Sequence, residues 1–246
     1  MSIIDQQAVF ERADVVRLRR DLALALRAAE HHGLSEGVCN HFSVELGDGS
    51  ARFLINPRGL HWSEIGGDDI VMVDAHGERL AGRHPVEPTA MFIHAAVHRI
   101  ARKACVLHTH MPHATALTLT TARAPDPTLS QNAMRFMGRL AIDPHYNGLA
   151  LDAGEGERIA HAMNGADIAF LANHGVIVCG ATIAWAYDDL YYLERACQQQ
   201  ILAAASGFPL APVAPALAGR VAAQVQGERM QSDLLFESLR RRLGDR

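Results

Sequence analysis

Two histidines separated by one residue follow a short apolar segment near the middle of the chain. Residues 104–110 read Ala-Cys-Val-Leu-His-Thr-His, and this composition ahead of Pro112 is typical of a buried strand. Because side chains alternate along a strand, His108 and His110 point to the same side, with Cα atoms about 7 Å apart. Two imidazoles in this position can share a metal ion. The alternative is that they are ordinary interior histidines bonded to the backbone.

A third histidine follows a second apolar segment. His174 comes after residues 167–173, Asp-Ile-Ala-Phe-Leu-Ala-Asn, and Gly175 behind it is expected to let the backbone turn sharply. If the two predicted strands lie close together in one sheet, the three imidazoles converge. Three histidines with an open fourth position are typical of a catalytic rather than a structural zinc site, and another borderline divalent ion would also fit.

Glu87 is a candidate acid or base for such a site. Pro88 suits the first turn of a helix that we predict to end near residue 102, so Glu87 lies at the N-terminal boundary of that helix. A carboxylate there could ligate the resting metal or move protons. The alternative role is a favourable interaction with the helix dipole alone.

Composition narrows the class of protein. The 246 residues, 49% hydrophobic and 20% charged, suit one large α/β domain or two small ones. A net charge of −4 argues against nucleic acid as a partner. No apolar segment has the length of a membrane span, and residues 1–5 lack the features of a signal peptide. The four cysteines form no C-x-x-C pair, which predicts reduced thiols in a cytoplasmic protein.

The elements that would position these residues follow from periodicity. Apolar residues at helical spacing predict a helix over residues 12–32 and a long helix that Thr182 caps and that ends at Gly207. In the first third of the chain, tight turns join short strands, which predicts antiparallel pairing. These strands are 42–46, 52–56 and 70–73.

Two later regions are less regular. Residues 123–148 show little periodicity, so we predict loops of the kind that often contact substrate. We expect one domain over residues 1–207, followed over 208–246 by a proline-rich linker and a C-terminal helical tail. The tail is predicted as one polar helix over 217–243 that ends in three arginines, on a solvated face or at a frayed end.

The chain resembles the class II aldolase/adducin family. The resemblance covers about residues 15–206 in the family's motif order. It rests on the two histidine motifs, on Glu87, and on the sequences Cys-Asn-His-Phe-Ser at 39–43 and Ile-Asn-Pro-Arg-Gly at 55–59. It implies a three-layer α/β/α sandwich with a central, mainly antiparallel sheet. It also implies a homotetramer with sites near the subunit interfaces.

The same resemblance implies roles for individual residues. His108, His110 and His174 would bind Zn²⁺ or another divalent metal such as Mn²⁺, Co²⁺ or Fe²⁺, and Glu87 would be the catalytic acid or base. Family members that act on sugar phosphates have small hydroxyl residues directly before this glutamate, whereas this chain has Pro85 and Val86.

Neither of these two side chains donates a hydrogen bond, and proline also lacks a backbone N–H. We therefore expect a pocket for a carboxylate or another unphosphorylated anion, with Arg58 as its partner, although Arg58 could also be a surface turn residue. The expected substrate-binding residues are Asn40, Arg58, Gly59 and Tyr146. The catalytic tyrosine of the family's aldolases has no clear counterpart in this chain. Tyr146 is the candidate for it, and the alternative is that Tyr146 is a structural residue.

The expected function is a metal-dependent lyase that cleaves a carbon–carbon bond of a small unphosphorylated hydroxy or keto acid. Bond cleavage beside a carbonyl leaves an enolate, which a divalent cation stabilises as a Lewis acid. Decarboxylation makes the same kind of carbanion, and an epimerase or dehydratase would use the same enolate. A binding module is a further alternative, because residues 53–57 and 186–192 are similar to adducin head domains. Glu87 favours the enzyme, since a scaffold needs no carboxylate there.

We predict that phosphorylated ketoses are poor substrates, because Pro85 and Val86 offer no side-chain donor to a phosphate. The measurement is steady-state kinetics on the metal-loaded protein with fuculose 1-phosphate and rhamnulose 1-phosphate, compared with 2-keto-4-hydroxy acids at equal concentration. Efficient cleavage of either phosphate would contradict the prediction.

Overall fold

The computed structural model describes residues 3–244, which form nine α-helices and eight strands. Residues 1, 2, 245 and 246 lie outside the described residues. The predictions about a signal peptide at residues 1–5 and about the tail up to residue 246 fall partly on them. The helices are α1 (Ile3–Phe10), α2 (Ala13–His31), α3 (Pro88–Ala101), α4 (Pro112–Thr118), α5 (Gln131–Met134), α6 (Ala153–Ala162), α7 (Ile183–Ala205), α8 (Pro215–Gly227) and α9 (Met230–Leu243).

All eight strands belong to one sheet. They are β1 (His41–Glu45), β2 (Phe53–Ile55), β3 (Val71–Val73), β4 (Arg79–Ala81), β5 (Cys105–Thr109), β6 (Leu140–Asp143), β7 (Ile168–Leu171) and β8 (Gly175–Gly180). Their order is β4-β3-β2-β1-β5-β8-β7-β6. Neighbours pair antiparallel except β6 and β7, which are parallel. The predicted, mainly antiparallel sheet is confirmed.

Helices cover both faces of the sheet, which confirms the predicted three layers. Along β5, Cys105 and Leu107 pack with apolar residues of α2 and α7 on one face. Val106, between them, packs on the other face with Ile93 of α3 and Ile159 of α6. This alternation is the two-residue period of a strand buried on both sides.

The long helices match their predictions. α2 begins at Ala13, and Gly33, with φ 71°, follows its C-terminal end. Thr182 is the N-cap of α7, and its side chain accepts a hydrogen bond from the Trp185 backbone N–H. Within residues 3–244, no helix combines the length and the apolar character needed to cross a bilayer.

The region from 123 to 148 is more regular than predicted. It contains the short helix α5 and the strand β6, whose residues Leu140 and Asp143 pair with Ile168 and Leu171 of β7. β6 is an edge strand, and three of its four residues are only partly buried or exposed. Its sequence therefore lacks a clear apolar pattern, and the strand is defined by its pairing with β7.

The prediction of one continuous polar tail helix was wrong. The tail forms two helices, α8 and α9, and the break between them follows Gly227, because glycine is a poor helix former. At this break, Arg229 donates a hydrogen bond to the buried carboxylate of Asp189 on α7. α9 buries Phe236 and Leu239 in the same core as α2 and α7.

Of the three arginines at the end of α9, Arg241 and Arg242 are exposed, in line with the predicted solvated face. Arg240 is instead partly buried and donates to Asp21 of α2 at 2.7 Å. Arg242 also contacts His31 at the end of α2. The tail therefore completes the helical layer. The division of the chain into residues 1–207 and 208–246 stays a prediction.

We predict that Gly156→Ala destabilises the fold. A Cβ at Gly156 would lie 2.2 Å from the carbonyl oxygen of Phe92, so α3 and α6 approach too closely for a side chain. Despite the better helix propensity of alanine, we expect the free energy of unfolding to fall by about 1–3 kcal/mol in urea titrations. Gly219→Ala on α8, where a Cβ meets nothing within 4 Å, is the matched control and should be neutral or stabilising. Equal stability of the two variants would contradict this prediction.

Candidate metal centre

The structure brings three distant histidine rings together. The ring centres of His108, His110 and His174 lie 4.9–5.2 Å apart, and one ligand nitrogen from each lies within 4.8 Å of the other two. His108 belongs to β5, His110 follows it, and His174 lies in the turn between β7 and β8. Because β5 pairs directly with β8, Thr109 faces Val176, and the turn before β8 reaches the end of β5.

Hydrogen bonds orient two of these rings. His108 Nδ1 donates to the carbonyl oxygen of Val176 at 3.0 Å, and His110 Nδ1 donates to the carboxylate of Glu36. Each neutral ring then has a lone pair on Nε2. His110 Nε2 is buried and has no hydrogen-bond partner within residues 3–244. An unpaired imidazole nitrogen beside two others fits a divalent cation.

Burial keeps His108 and His174 neutral. Desolvation, and then the neighbouring imidazoles, hold the pKa of His108 well below 6.5. Burial and the nearby His110 lower the pKa of His174 to about 4. Both rings are therefore unprotonated at neutral pH, which is the form that binds metal.

The turn that carries His174 differs from the expectation for Gly175. Asn173, with φ 56°, adopts the left-handed conformation, which asparagine tolerates better than most residues. Gly175 is instead needed for close approach. A Cβ there would lie 2.6 Å from His110 Cδ2 and 2.8 Å from the carbonyl oxygen of Thr109.

Glu87 is the N-cap residue of α3, as its position before Pro88 predicted. Its carboxylate accepts no capping hydrogen bond from the helix backbone in the described chain and instead pairs with Arg58, Nε to Oε2, at 2.7 Å. Arg58, expected to meet a substrate anion, therefore meets the candidate catalytic carboxylate. Its role toward substrate stays a prediction.

All the predicted site residues line one cavity of about 450 Å³. They are His108, His110, His174, Glu87, Asn40, Arg58, Gly59 and Tyr146. Asn40 takes φ 72°, and its side-chain oxygen accepts from the backbone N–H of His110 at 3.1 Å, so it also supports a metal-site residue. The ring centre of Tyr146 lies 6.3 Å from that of His174.

Two residues of the site were not assigned a role from the sequence. Glu36 lies in the loop between α2 and β1 with no motif around it, so only its contact with His110 reveals it. His41 stands in a motif that supported the family resemblance, and it pairs with His108 across β1 and β5. Its two-residue spacing from Ser43, on the same face, was the available signal.

Comparison with known proteins identifies the family. The model of the class II aldolase and adducin N-terminal domain matches residues 20–201. This chain belongs to the class II aldolase and adducin family. A solved aldolase II superfamily protein from Pseudomonas syringae superposes with a TM-score of 0.85 at 29% identity, over 95% of this chain and 96% of that one. The superposition also confirms the predicted fold class.

Relatives within the class II aldolase and adducin family are named for different reactions. A Pseudomonas aeruginosa protein, provisionally named an aldolase class 2 protein, is 33% identical over 78% of this chain and 73% of its own. Decarboxylase NovR of Streptomyces niveus is 29% identical over 76% and 70%. A 5-methylthioribulose-1-phosphate/5-deoxyribulose-1-phosphate aldolase of Rhodospirillum rubrum is 30% identical over 75% and 80%.

We predict that Glu36→Gln weakens zinc binding by about 10- to 100-fold, because the carboxylate that orients His110 and raises its basicity is lost. The measurement is competition with a chromophoric chelator at neutral pH. The matched control is Glu228→Gln, between α8 and α9 and outside the cavity. If Glu36→Gln binds zinc as tightly as the control does, Glu36 has no part in the site.

Proposed function

We propose that this protein is a divalent-metal-dependent lyase that cleaves a carbon–carbon bond of a small unphosphorylated hydroxy or keto acid. The observation that supports this most directly is the convergence of His108, His110 and His174 in one cavity with Glu87. We propose Zn²⁺ as the metal, with Mn²⁺, Co²⁺ or Fe²⁺ as alternatives, because three imidazoles suit borderline divalent ions.

The three histidines would hold the cation through their neutral nitrogens. When bound, the cation supplies Lewis-acid stabilisation of negative charge on a substrate carbonyl oxygen, a contribution of several kcal/mol. Burial keeps His108 neutral, and the hydrogen bonds that His108 and His110 donate orient their rings.

Glu87 would move the proton at the carbon where the bond breaks. Its carboxylate is only partly buried, lines the cavity and is held by Arg58, so its position is set before substrate arrives. A guanidinium can pair with two carboxylates, so Arg58 could bind the substrate's carboxylate while it still orients Glu87.

The proposal of an unphosphorylated substrate depends on Pro85 and Val86, which provide no hydroxyl beside Glu87. The Rhodospirillum relative is named for phosphorylated substrates, so family membership alone does not set this specificity. We also propose the cytoplasm as the location and a homotetramer as the assembly. Neither a membrane nor a nucleic acid is proposed as a partner.

Decarboxylation is the second candidate. One relative is named a decarboxylase, and the cavity wall includes the apolar side chains of Val38, Ile93 and Leu149, which could accommodate a larger apolar acid. Loss of carbon dioxide needs the same stabilisation of negative charge beside a carbonyl. A non-catalytic, adducin-like module is less favoured, because it would not require Glu87 beside the three histidines.

We predict that Glu87→Gln lowers kcat by about 100-fold or more while the metal content stays that of wild type, since the variant keeps its shape and loses its proton transfer. The assay couples metal analysis to a screen of 2-keto-4-hydroxy acids and aromatic hydroxy acids. Metal-dependent turnover that is unaffected by Glu87→Gln would remove this residue from the mechanism.

His174→Ala separates the metal site from the proton-transfer role. It should bind zinc far more weakly than wild type, because one of three ligands is lost. Zinc retained at wild-type affinity would exclude His174 as a ligand.

A further inference from the structure

A buried asparagine lies between the two halves of the candidate site. Asn56 directly follows β2, its residue is only 1% exposed, and it is not one of the residues that line the cavity. A side-chain amide is costly to bury unless its oxygen and its nitrogen are hydrogen-bonded. The groups that this amide binds therefore indicate what it does.

Both hydrogen bonds of the Asn56 side chain are made to the backbone at the start of β1. Its Oδ1 accepts from the N–H of Phe42 at 2.9 Å, and its Nδ2 donates to the carbonyl oxygen of Asn40 at 3.3 Å. Because an N–H can only donate and a carbonyl oxygen can only accept, these two partners fix the orientation of the amide. The strand pairing between β1 and β2 ends at Ser43 and Ile55, so the Asn56 side chain extends it by one residue.

These hydrogen bonds support Asn40 in an uncommon conformation. Asn40 has φ 72°, in the left-handed region, which asparagine adopts more readily than most residues. In this conformation its side-chain oxygen accepts from the backbone N–H of His110 at 3.1 Å. Without the Asn56 amide, the buried carbonyl group of Asn40 loses this donor, and the residue can relax away from His110. Asn56 thus acts on a candidate metal ligand through Asn40.

The chain that follows Asn56 leads to the candidate acid or base. Pro57, whose ring fixes φ, is the single residue between Asn56 and Arg58. The backbone N–H of Arg58 donates to the carbonyl oxygen of Pro85 at 2.9 Å, and its side chain pairs with Glu87 at 2.7 Å. This connection is short and stiff, so the two hydrogen bonds of Asn56 also anchor the turn that holds Glu87.

We propose that Asn56 is a positioning residue that fixes His110 and the carboxylate of Glu87 relative to each other. These two residues belong to different parts of the fold, because His110 follows β5 and Glu87 precedes α3. Asn56 reaches the first through Asn40 and the second through Arg58. The inference rests on the proposed function for the roles of His110 and Glu87. It predicts that loss of one amide disturbs metal binding and the Arg58–Glu87 pair together.

The first test measures metal binding by the full-length protein. Asn56→Leu has a similar volume and removes both hydrogen bonds, so zinc affinity in chelator competition should fall by about 10-fold, the lower end of the range for residues that support a ligand. The visible absorption spectrum of the Co²⁺-loaded variant should also differ from that of wild type, because it reports coordination geometry. Phe236→Leu, a core substitution on α9 outside the cavity, controls for lost stability and should match wild type in both measurements.

The Arg58–Glu87 pair has a readout that needs no substrate. The Nε–H of Arg58 gives a signal in ¹H–¹⁵N spectra, which is assigned by its absence in Arg58→Lys. Its exchange with water should be about 10-fold faster in Asn56→Leu than in wild type, as expected for the loss of roughly one hydrogen bond, and unchanged in Phe236→Leu.

A third measurement uses wild type alone, so it does not depend on the folding of any variant. The side-chain amide of Asn56 should show at least one slowly exchanging proton, because its Nδ2 donates to a buried carbonyl oxygen. Rapid exchange of both amide protons overturns the inference.

The outcomes separate this inference from the proposed function. If wild type binds neither Zn²⁺ nor Co²⁺, both are contradicted. If it binds metal but cleaves none of the screened acids, the proposed function fails, and the metal and exchange measurements still decide the role of Asn56. If Asn56→Leu matches Phe236→Leu in metal binding, in Arg58 exchange or in both, only the role of Asn56 is overturned. A change in both readouts that is confined to Asn56→Leu supports it.

Discussion

The antiparallel pairing of β5 with β8 is the constraint on which the candidate site depends. It places Thr109 opposite Val176, so that the end of one buried strand lies against the turn that enters the other. The same pairing supplies the Val176 carbonyl oxygen that orients His108. The space is so limited that position 175, beside the His110 ring, has no room for a side chain. Backbone hydrogen bonds thus set the geometry of the three imidazoles before any ligand is present.

A second constraint is the close packing of α3 against the sheet and α6. Gly156 lets the two helices approach until a Cβ would overlap the Phe92 carbonyl oxygen. This packing places the N-terminal end of α3, with Glu87, at the mouth of the cavity, and it buries His94 and His98 farther along the helix. One helix therefore contributes both a partly exposed carboxylate and a fully buried histidine pair.

Polar groups in this layer are costly to bury unless they are paired, and nearly all of them are. Two of these rings donate a hydrogen bond to a backbone carbonyl oxygen: His108 to that of Val176, and His98 to that of Lys103. Because a carbonyl oxygen can only accept, each one fixes the tautomer of the ring that it contacts. Two ring nitrogens of this layer have no hydrogen-bond partner in the described chain: Nε2 of His110, which lines the cavity, and Nε2 of His94.

The sequence by itself determined the strongly periodic elements and the identity of most site residues. α2 and α7 follow from apolar spacing and a capping threonine, and the His-x-His pair, His174 and Glu87 stand in local motifs that are readable without coordinates. Tertiary structure alone decided β6, the break between α8 and α9, the pairing of Arg58 with Glu87, and the contacts of Glu36 and His41. The physical reason is that local patterns record burial and backbone preference, whereas these features arise from contacts between segments far apart in the chain, which leave no periodic signal.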